Sequence, residues 1–223
     1  FFEAMSGITT TGSTIIVSLD TAPPGLLLWR SLLQWLGGIG IIVMALAVMP
    51  LLRVGGMQLF RMESSDLSEK ALPRAAQVAA AITAIYVILT IIWAALLWLA
   101  GMSGFDAVSH AMTTIATGGF SNYDASVGHF DSVAIDIIVT VGMVIGSLPF
   151  LLYLMVLQGK PSNLFHDSQV QLFLTLLGTI ILLVAGWLWL ENGEEPWQAL
   201  RLAAFNVASI LTGTGYVTAG FDK

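Results

Sequence analysis

Three short segments of this chain carry the residue types needed to strip water from a cation. They are Thr10-Thr11-Gly12-Ser13, Ala116-Thr117-Gly118-Gly119 and Gly213-Thr214-Gly215-Tyr216. Replacing a hydration shell takes oxygen atoms held in fixed positions, and backbone carbonyls serve when the chain can turn them toward a common axis. Glycine accepts the backbone angles this needs without a Cβ penalty, and threonine adds a hydroxyl that can hold the neighbouring turn. Centred on their Thr-Gly pairs, the segments match Gly12 with Gly118 and Gly215. The candidate ligand carbonyls are those of Thr10, Thr11 and Gly12, of Ala116, Thr117 and Gly118, and of Gly213, Thr214 and Gly215. A single such pair reads as helix packing, because small residues let membrane helices touch. Three at matching places favour an ion pathway.

The elements around them are membrane elements. Of the 223 residues 57% are hydrophobic and 10% charged, with mean hydropathy +0.86. Water-soluble domains carry roughly 25% charged residues, so the composition is that of a membrane protein. The formal charge is −6, and nothing marks a nucleic-acid surface. The absence of cysteine excludes a disulfide framework, Cys-ligated metal and thiol catalysis. Four stretches reach the roughly 20 apolar residues that cross a bilayer: Leu26–Leu52, Val78–Ala100, Val133–Leu157 and Val170–Leu190. Three shorter stretches, Phe1–Thr9, Phe105–Ile115 and Trp197–Leu211, precede the motifs and fit half-crossing helices. Their partly negative C-terminal ends aim at the loops.

The unit is therefore span, half-helix, Thr-Gly loop, span. Residues 1–76 hold the loop and second span of a first unit plus a basic loop. Residues 77–169 hold a complete second unit, and residues 170–223 the opening of a third. Starting at Phe1 and stopping at Lys223, the chain is expected to be an internal piece of a longer polytopic protein. Arg53, Arg61, Lys70 and Arg74 follow the first span and Lys160 the third. The positive-inside rule makes those loops cytoplasmic and puts the motif loops outside. Trp29, Trp98, Trp187 and Trp189 then fall at outer ends, where indoles sit well. Asp20, Asp106, Asp124, Asp131, Glu191, Glu194, Glu195 and Asp222 make the outer face acidic. They either concentrate cations at a mouth or are simply what remains once Lys and Arg are excluded.

Two charges fall inside spans. Eighteen residues beyond Gly12 stands Arg30, and the same count from Gly118 reaches Asp136. One turn further come Gln34 and Thr140, and Gly40 and Gly146 also share an offset. A charge in the membrane costs about 2.5–3.5 kcal/mol on insertion scales and must find a partner in the bundle. Arg30, Gln34, Asp136 and Thr140 are accordingly expected to brace the pore wall. The two charges would bond half-helix ends or each other, with Arg201 competing for Asp136. Gly37, Gly38 and Gly40, and Gly142 with Gly146 just before Pro149, read as close packing.

One enzymatic alternative exists. Gly101-Met102-Ser103-Gly104 matches the Gly-x-Ser-Gly pattern of intramembrane serine proteases, which need a histidine within hydrogen-bond reach of the serine. His110 lies in the same half-helix, and His129 and His166 fall in opposite loops. The pattern is cheap in a chain with 22 glycines.

Longer stretches carry a resemblance. Phe2 to Gly12 (FEAMSGITTTG) and Leu28 to Gly40 (LWRSLLQWLGGIG) resemble the first pore loop and following helix of Trk-type potassium-uptake membrane subunits. Gly55 to Arg61 continues the likeness, and Thr114 to Ser121 and Asn206 to Tyr216 resemble the second and third pore loops. The resemblance implies an all-α membrane protein of span–pore-helix–filter-loop–span units around a pseudo-fourfold axis, with three of four loops present here. It also implies potassium, held by filter carbonyls, as the transported ion, with no covalent cofactor and no enzymatic step. Glycine at the key filter position goes with potassium in that family and serine with sodium, so a Ktr-like or sodium-permeable relative is the nearby alternative. A homodimer on a cytosolic ring of nucleotide-binding regulatory subunits, in a bacterial inner membrane, completes the implication. The gating segment of the third repeat and the fourth loop would follow Lys223, so the chain is not expected to conduct alone.

Overall fold

The computed structural model describes residues 1–52, 71–191 and 193–218. Arg53, Arg61, Lys70 and Asp222, and the stretch Gly55 to Arg61, lie outside them. The described residues are helical, with no strand among them: α1 (Phe2–Ile8), α2 (Pro24–Leu52), α3 (Ala71–Leu99), α4 (Gly104–Ile115), α5 (Val133–Ser147), α6 (Phe150–Leu157), α7 (Ser162–His166), α8 (Ser168–Glu191) and α9 (Pro196–Leu211). α1, α4 and α9 are the three short helices before the motifs.

Among the described residues three helices are long and apolar enough to cross a membrane, and a fourth if a bent pair counts as one. α8 makes the environment plain. Only 11% of its apolar window is buried within the protein, and Leu172, Leu182, Leu183 and Trp187 lie more than half exposed. In water that face would cost about 25 cal/mol for every Å²; against lipid it costs nothing.

The third predicted span is not one straight helix. It breaks between Ser147 and Phe150, and α5 and α6 meet at 91°. Pro149 has no N–H to give the Ile145 carbonyl, and its ring drives the preceding residue out of the helical region. Leu148 is extended at φ −75°, ψ 150°. The Ile145 carbonyl instead accepts the Leu148 N–H at 3.3 Å and the Tyr153 hydroxyl at 2.6 Å, so the elbow is a satisfied structure.

Packing follows one rule. α2 lies against α1 and also against α4, and α5 lies against α4 and also against α9. Each long helix thus clamps two successive short ones, while α3 covers α4 and α8 covers α9. Two indoles and a phenol fix the seams, as their polar ends require partners. Trp93 Nε1 donates to the Ile138 carbonyl at 2.9 Å, Trp35 Nε1 to Thr90 Oγ1 at 3.0 Å, and the Tyr86 hydroxyl to the Trp35 carbonyl at 3.0 Å.

Candidate ion-binding loops

Each short helix ends in the same turn. The last helical position is capped by Thr9, Ala116 or Thr212. The next residue, Thr10, Thr117 or Gly213, is left-handed, at φ 55°, 49° and 74°. In the first two the following N–H reaches back to a carbonyl five residues earlier, Thr11 to Ser6 and Gly118 to Thr113, which is the Schellman stop. In the third, Gly215 N–H takes the equivalent Ser209 carbonyl. One residue after the stop a second left-handed position follows: Gly12 at 79°, Gly119 at 77° and Gly215 at 85°.

This corrects the register. The sequence matches Gly12 with Gly118, because both follow threonine; the backbone matches Gly12 with Gly119. Gly118 has an ordinary φ and stands where Thr11 and Thr214 stand. In the second loop the residue between the two left-handed positions happens to be a glycine as well, and a Thr-Gly count lands on it.

The three loops meet. A methyl group on Gly12 would overlap the Gly118 carbonyl oxygen and lie 3.5 Å from that of Thr214, and one on Gly119 would overlap the Thr214 carbonyl oxygen. Among the nominated residues, Gly12, Gly118 and Thr214 are thereby in direct proximity, and Thr10, Thr11, Ala116, Thr117, Gly213 and Gly215 belong to the same three turns. Carbonyl oxygens from separate turns gathered this closely, at the negative ends of three short helices, form an environment for a cation.

A residue just after the second left-handed glycine wedges each later loop against the preceding short helix. The Phe120 ring lies 3.4 Å from where a Gly7 Cβ would be, and the Tyr216 hydroxyl bonds the hydroxyls of Thr113 and Thr114. Tyr216 is fully buried. Behind the second loop, His110 Nε2 pairs with Ser121 Oγ at 3.0 Å, and Asp106 accepts hydrogen bonds from Ser103, Asn122 and Tyr123.

The predicted wall residues divide. Arg30 and Asp136 do not bond each other. Arg30 Nε donates to Glu3 Oε1 on α1 at 2.6 Å and its NH1 to the Ser121 carbonyl at 3.0 Å, while its guanidinium lies 4.1 Å from the Phe120 ring centre. Glu3 also accepts from Thr14 Oγ1 and the Ile15 N–H, so one buried ion pair ties helix, loop and next loop. Asp136 faces Arg201 on α9 at 3.8 Å, a looser contact. Gln34 reaches the second loop, donating to the Gly118 carbonyl at 2.5 Å and accepting from the Phe120 N–H at 3.0 Å. Among the described residues the Thr140 hydroxyl bonds the Asp136 carbonyl of its own helix and no loop residue.

The shared offsets mislead for a physical reason. Gly37 lies against the carbonyl of Ile8, the last residue of α1, and Gly146 against that of Ile115, the last residue of α4, while Gly40 has open space around it. Gly7 likewise faces Leu33, and Thr114 faces Gly142, with large and small residues exchanged. Gly146 therefore corresponds to Gly37. Arg30 corresponds to Val139 and Gln34 to Met143, all four essentially inaccessible. The connections differ, with a 3-10 turn at Leu19–Thr21 in one and Ser126–Phe130 in the other, so equal counting does not give equal position.

Two further expectations change. Asp106 is buried in its network and Asp124 accepts the Leu19 N–H at 3.0 Å, so both serve as loop ties within the acidic face. Ser103 caps α4, accepting the Asp106 N–H and donating to its carboxylate, and His110 is committed to Ser121. Among the described residues the serine of the Gly-x-Ser-Gly pattern bonds Asp106 and no histidine. Ser103→Ala should cost about 1 kcal/mol, the usual value of an N-cap, which a thermal melt checks. Glu3, Gly119 and the His110–Ser121 pair were missed. Glu3 lies 27 residues before Arg30, across a loop, and no helical spacing pairs the two in sequence.

A family model described as "TrkH: Cation transport protein" matches residues 1–222. The chain belongs to the TrkH family. Among Trk relatives, the potassium uptake protein TrkI of Halomonas elongata is 47% identical over 97% of this chain and 44% of its own length. TrkH of Salmonella typhimurium is 41% identical over 98% of this chain and 46% of its own. The crystal structure of the potassium transporter TrkH from Vibrio parahaemolyticus superposes with TM-score 0.88 at 39% identity, over 99% of this chain and 45% of that one. The chain thus spans less than half the length of these TrkH-family relatives.

Proposed function

We propose that the chain supplies three of the four pore loops of a potassium-uptake subunit, and that residues 1–76, 77–169 and 170–223 are parts of three successive units around a pseudo-fourfold axis. The observation that carries this reading is the meeting of Gly12 with the carbonyls of Gly118 and Thr214. An ion there exchanges water for backbone oxygens and moves down its electrochemical gradient, so no covalent step is required. The relatives' names as potassium uptake proteins support potassium as the ion. Glycine at all three second left-handed positions supports the same choice. The loops face outward in a bacterial inner membrane, and the full-length subunit works as a homodimer on a cytosolic nucleotide-binding ring.

The test is growth. The full-length parent, expressed in a bacterium lacking its own potassium uptake, should restore growth at low potassium. Failure to do so, with the protein present in the membrane, overturns the proposal.

A further inference from the structure

The three turns share one backbone shape but are not stiffened alike. In the first, Thr9 and Thr11 join hydroxyls at 2.8 Å, and Thr9 Oγ1 also donates to the Met5 carbonyl at 2.7 Å. In the third, Thr212 and Thr214 do the same at 2.7 Å, with Thr212 Oγ1 on the Ala208 carbonyl at 2.8 Å. The second turn has Ala116 and Gly118 at those two positions and so has no hydroxyl pair. Gln34, from a different helix, occupies the vacated space: a Cβ on Gly118 would collide with its carboxamide. The amide is fully buried, and both its ends are used, the nitrogen on the Gly118 carbonyl and the oxygen on the Phe120 N–H. At the corresponding place on α5 stands Met143, buried and apolar, on a helix packed against α9, whose loop carries its own threonine pair.

We propose that Gln34 is the specificity-determining residue of the second loop, a carboxamide standing in for the missing Thr-x-Thr brace. It rests on the potassium-pathway reading above. A planar amide has one orientation that satisfies both partners, because its flipped form would set donor against donor. That orientation fixes the Gly118 carbonyl, the oxygen nearest Gly12. Ion discrimination depends on where such oxygens are held, whereas throughput depends on the path being open. Gln34 is thus a positioning residue whose loss alters the choice between ions.

The experiment uses the full-length protein in lipid vesicles, with rubidium and sodium uptake measured side by side. Gln34→Glu keeps the shape and removes the donor, and Gln34→Met removes both ends. The graft Gln34→Met with Ala116→Thr and Gly118→Thr gives the second loop the third loop's solution. Gly118 has no left-handed φ, and the three atoms nearest to a Cβ there all belong to Gln34, so removing the carboxamide opens space for a side chain. The single variants should lose about tenfold in rubidium-over-sodium preference, the scale of one buried hydrogen bond, and the graft should recover most of it. Native preference in Gln34→Glu overturns the proposal, as does a graft no more selective than Gln34→Met. If Gln34→Met does not fold, Gln34→Glu decides alone. Absence of flux in the native protein overturns the potassium reading together with this one, whereas native flux with unmoved selectivity overturns only this one.

Discussion

Gly119→Ala should lower ion flux through the full-length protein at least a hundredfold if the three loops carry the ion as proposed, while Gly213→Asn leaves it within a fewfold of native. Both glycines are left-handed, at 77° and 74°, so each substitution bears the backbone penalty of about 1–2 kcal/mol for an L-residue, less for asparagine. They differ in surroundings. A Gly119 side chain would overlap the Thr214 carbonyl of the next loop; one on Gly213 meets nothing within 4 Å. Thr10 and Thr117 already hold the equivalent of the Gly213 position with full side chains. Displacing a carbonyl from the meeting point adds to the backbone cost, and each 1.4 kcal/mol is tenfold. Radiotracer flux in vesicles, normalised to folded protein, reads the difference. Normal flux in Gly119→Ala would show that the junction of the loops is not the ion's route.

Arg30→Met should lower stability by about 3–5 kcal/mol, the cost of stranding a buried charge without its partner. Arg30 and Glu3 are 1% and 6% exposed, and Glu3 left alone would keep its hydrogen bonds to Thr14 and Ile15 but not its counter-charge. The double variant Arg30→Met with Glu3→Gln should recover more than half of that loss, because neutralising both partners is far cheaper than neutralising one. Asp136→Asn keeps the side chain's shape, and its arginine is 3.8 Å away and partly exposed, so it should cost clearly less than Arg30→Met. Thermal melts of the purified protein in detergent rank the three. Equal effects of Arg30→Met and Asp136→Asn would contradict the ion pair's role as the tie between α1, α2 and the second loop.

The helices were legible because bilayer-length apolar runs and half-length polar ones are properties of composition, and the structure keeps all three half-helices and all but one span intact. The exception turns on one residue: Pro149 stood in plain view, yet hydropathy does not see an absent N–H. The motifs were legible as segments but not in register. Adjacent glycines at 118 and 119 look alike in sequence and differ only in φ. Partners were least legible. Arg30 announces that it needs an anion, but which acid meets it depends on how α2 lies across α1, and the fixed offset that linked it to Asp136 ignored connections of unequal length. Gln34 shows the same limit from the other side, since its partners are backbone atoms 84 and 86 residues away.

The clamping of two short helices by each long one bears on how such a chain is made. A half-length helix leaves the ribosome before the long helix that will hold its far side, so α4 can dock on α2 at once but waits for α5, and α9 docks on α5 in turn. Assembly is thereby directional, like overlapping tiles laid from one edge. Removing the middle unit would leave a bare flank on both of its neighbours.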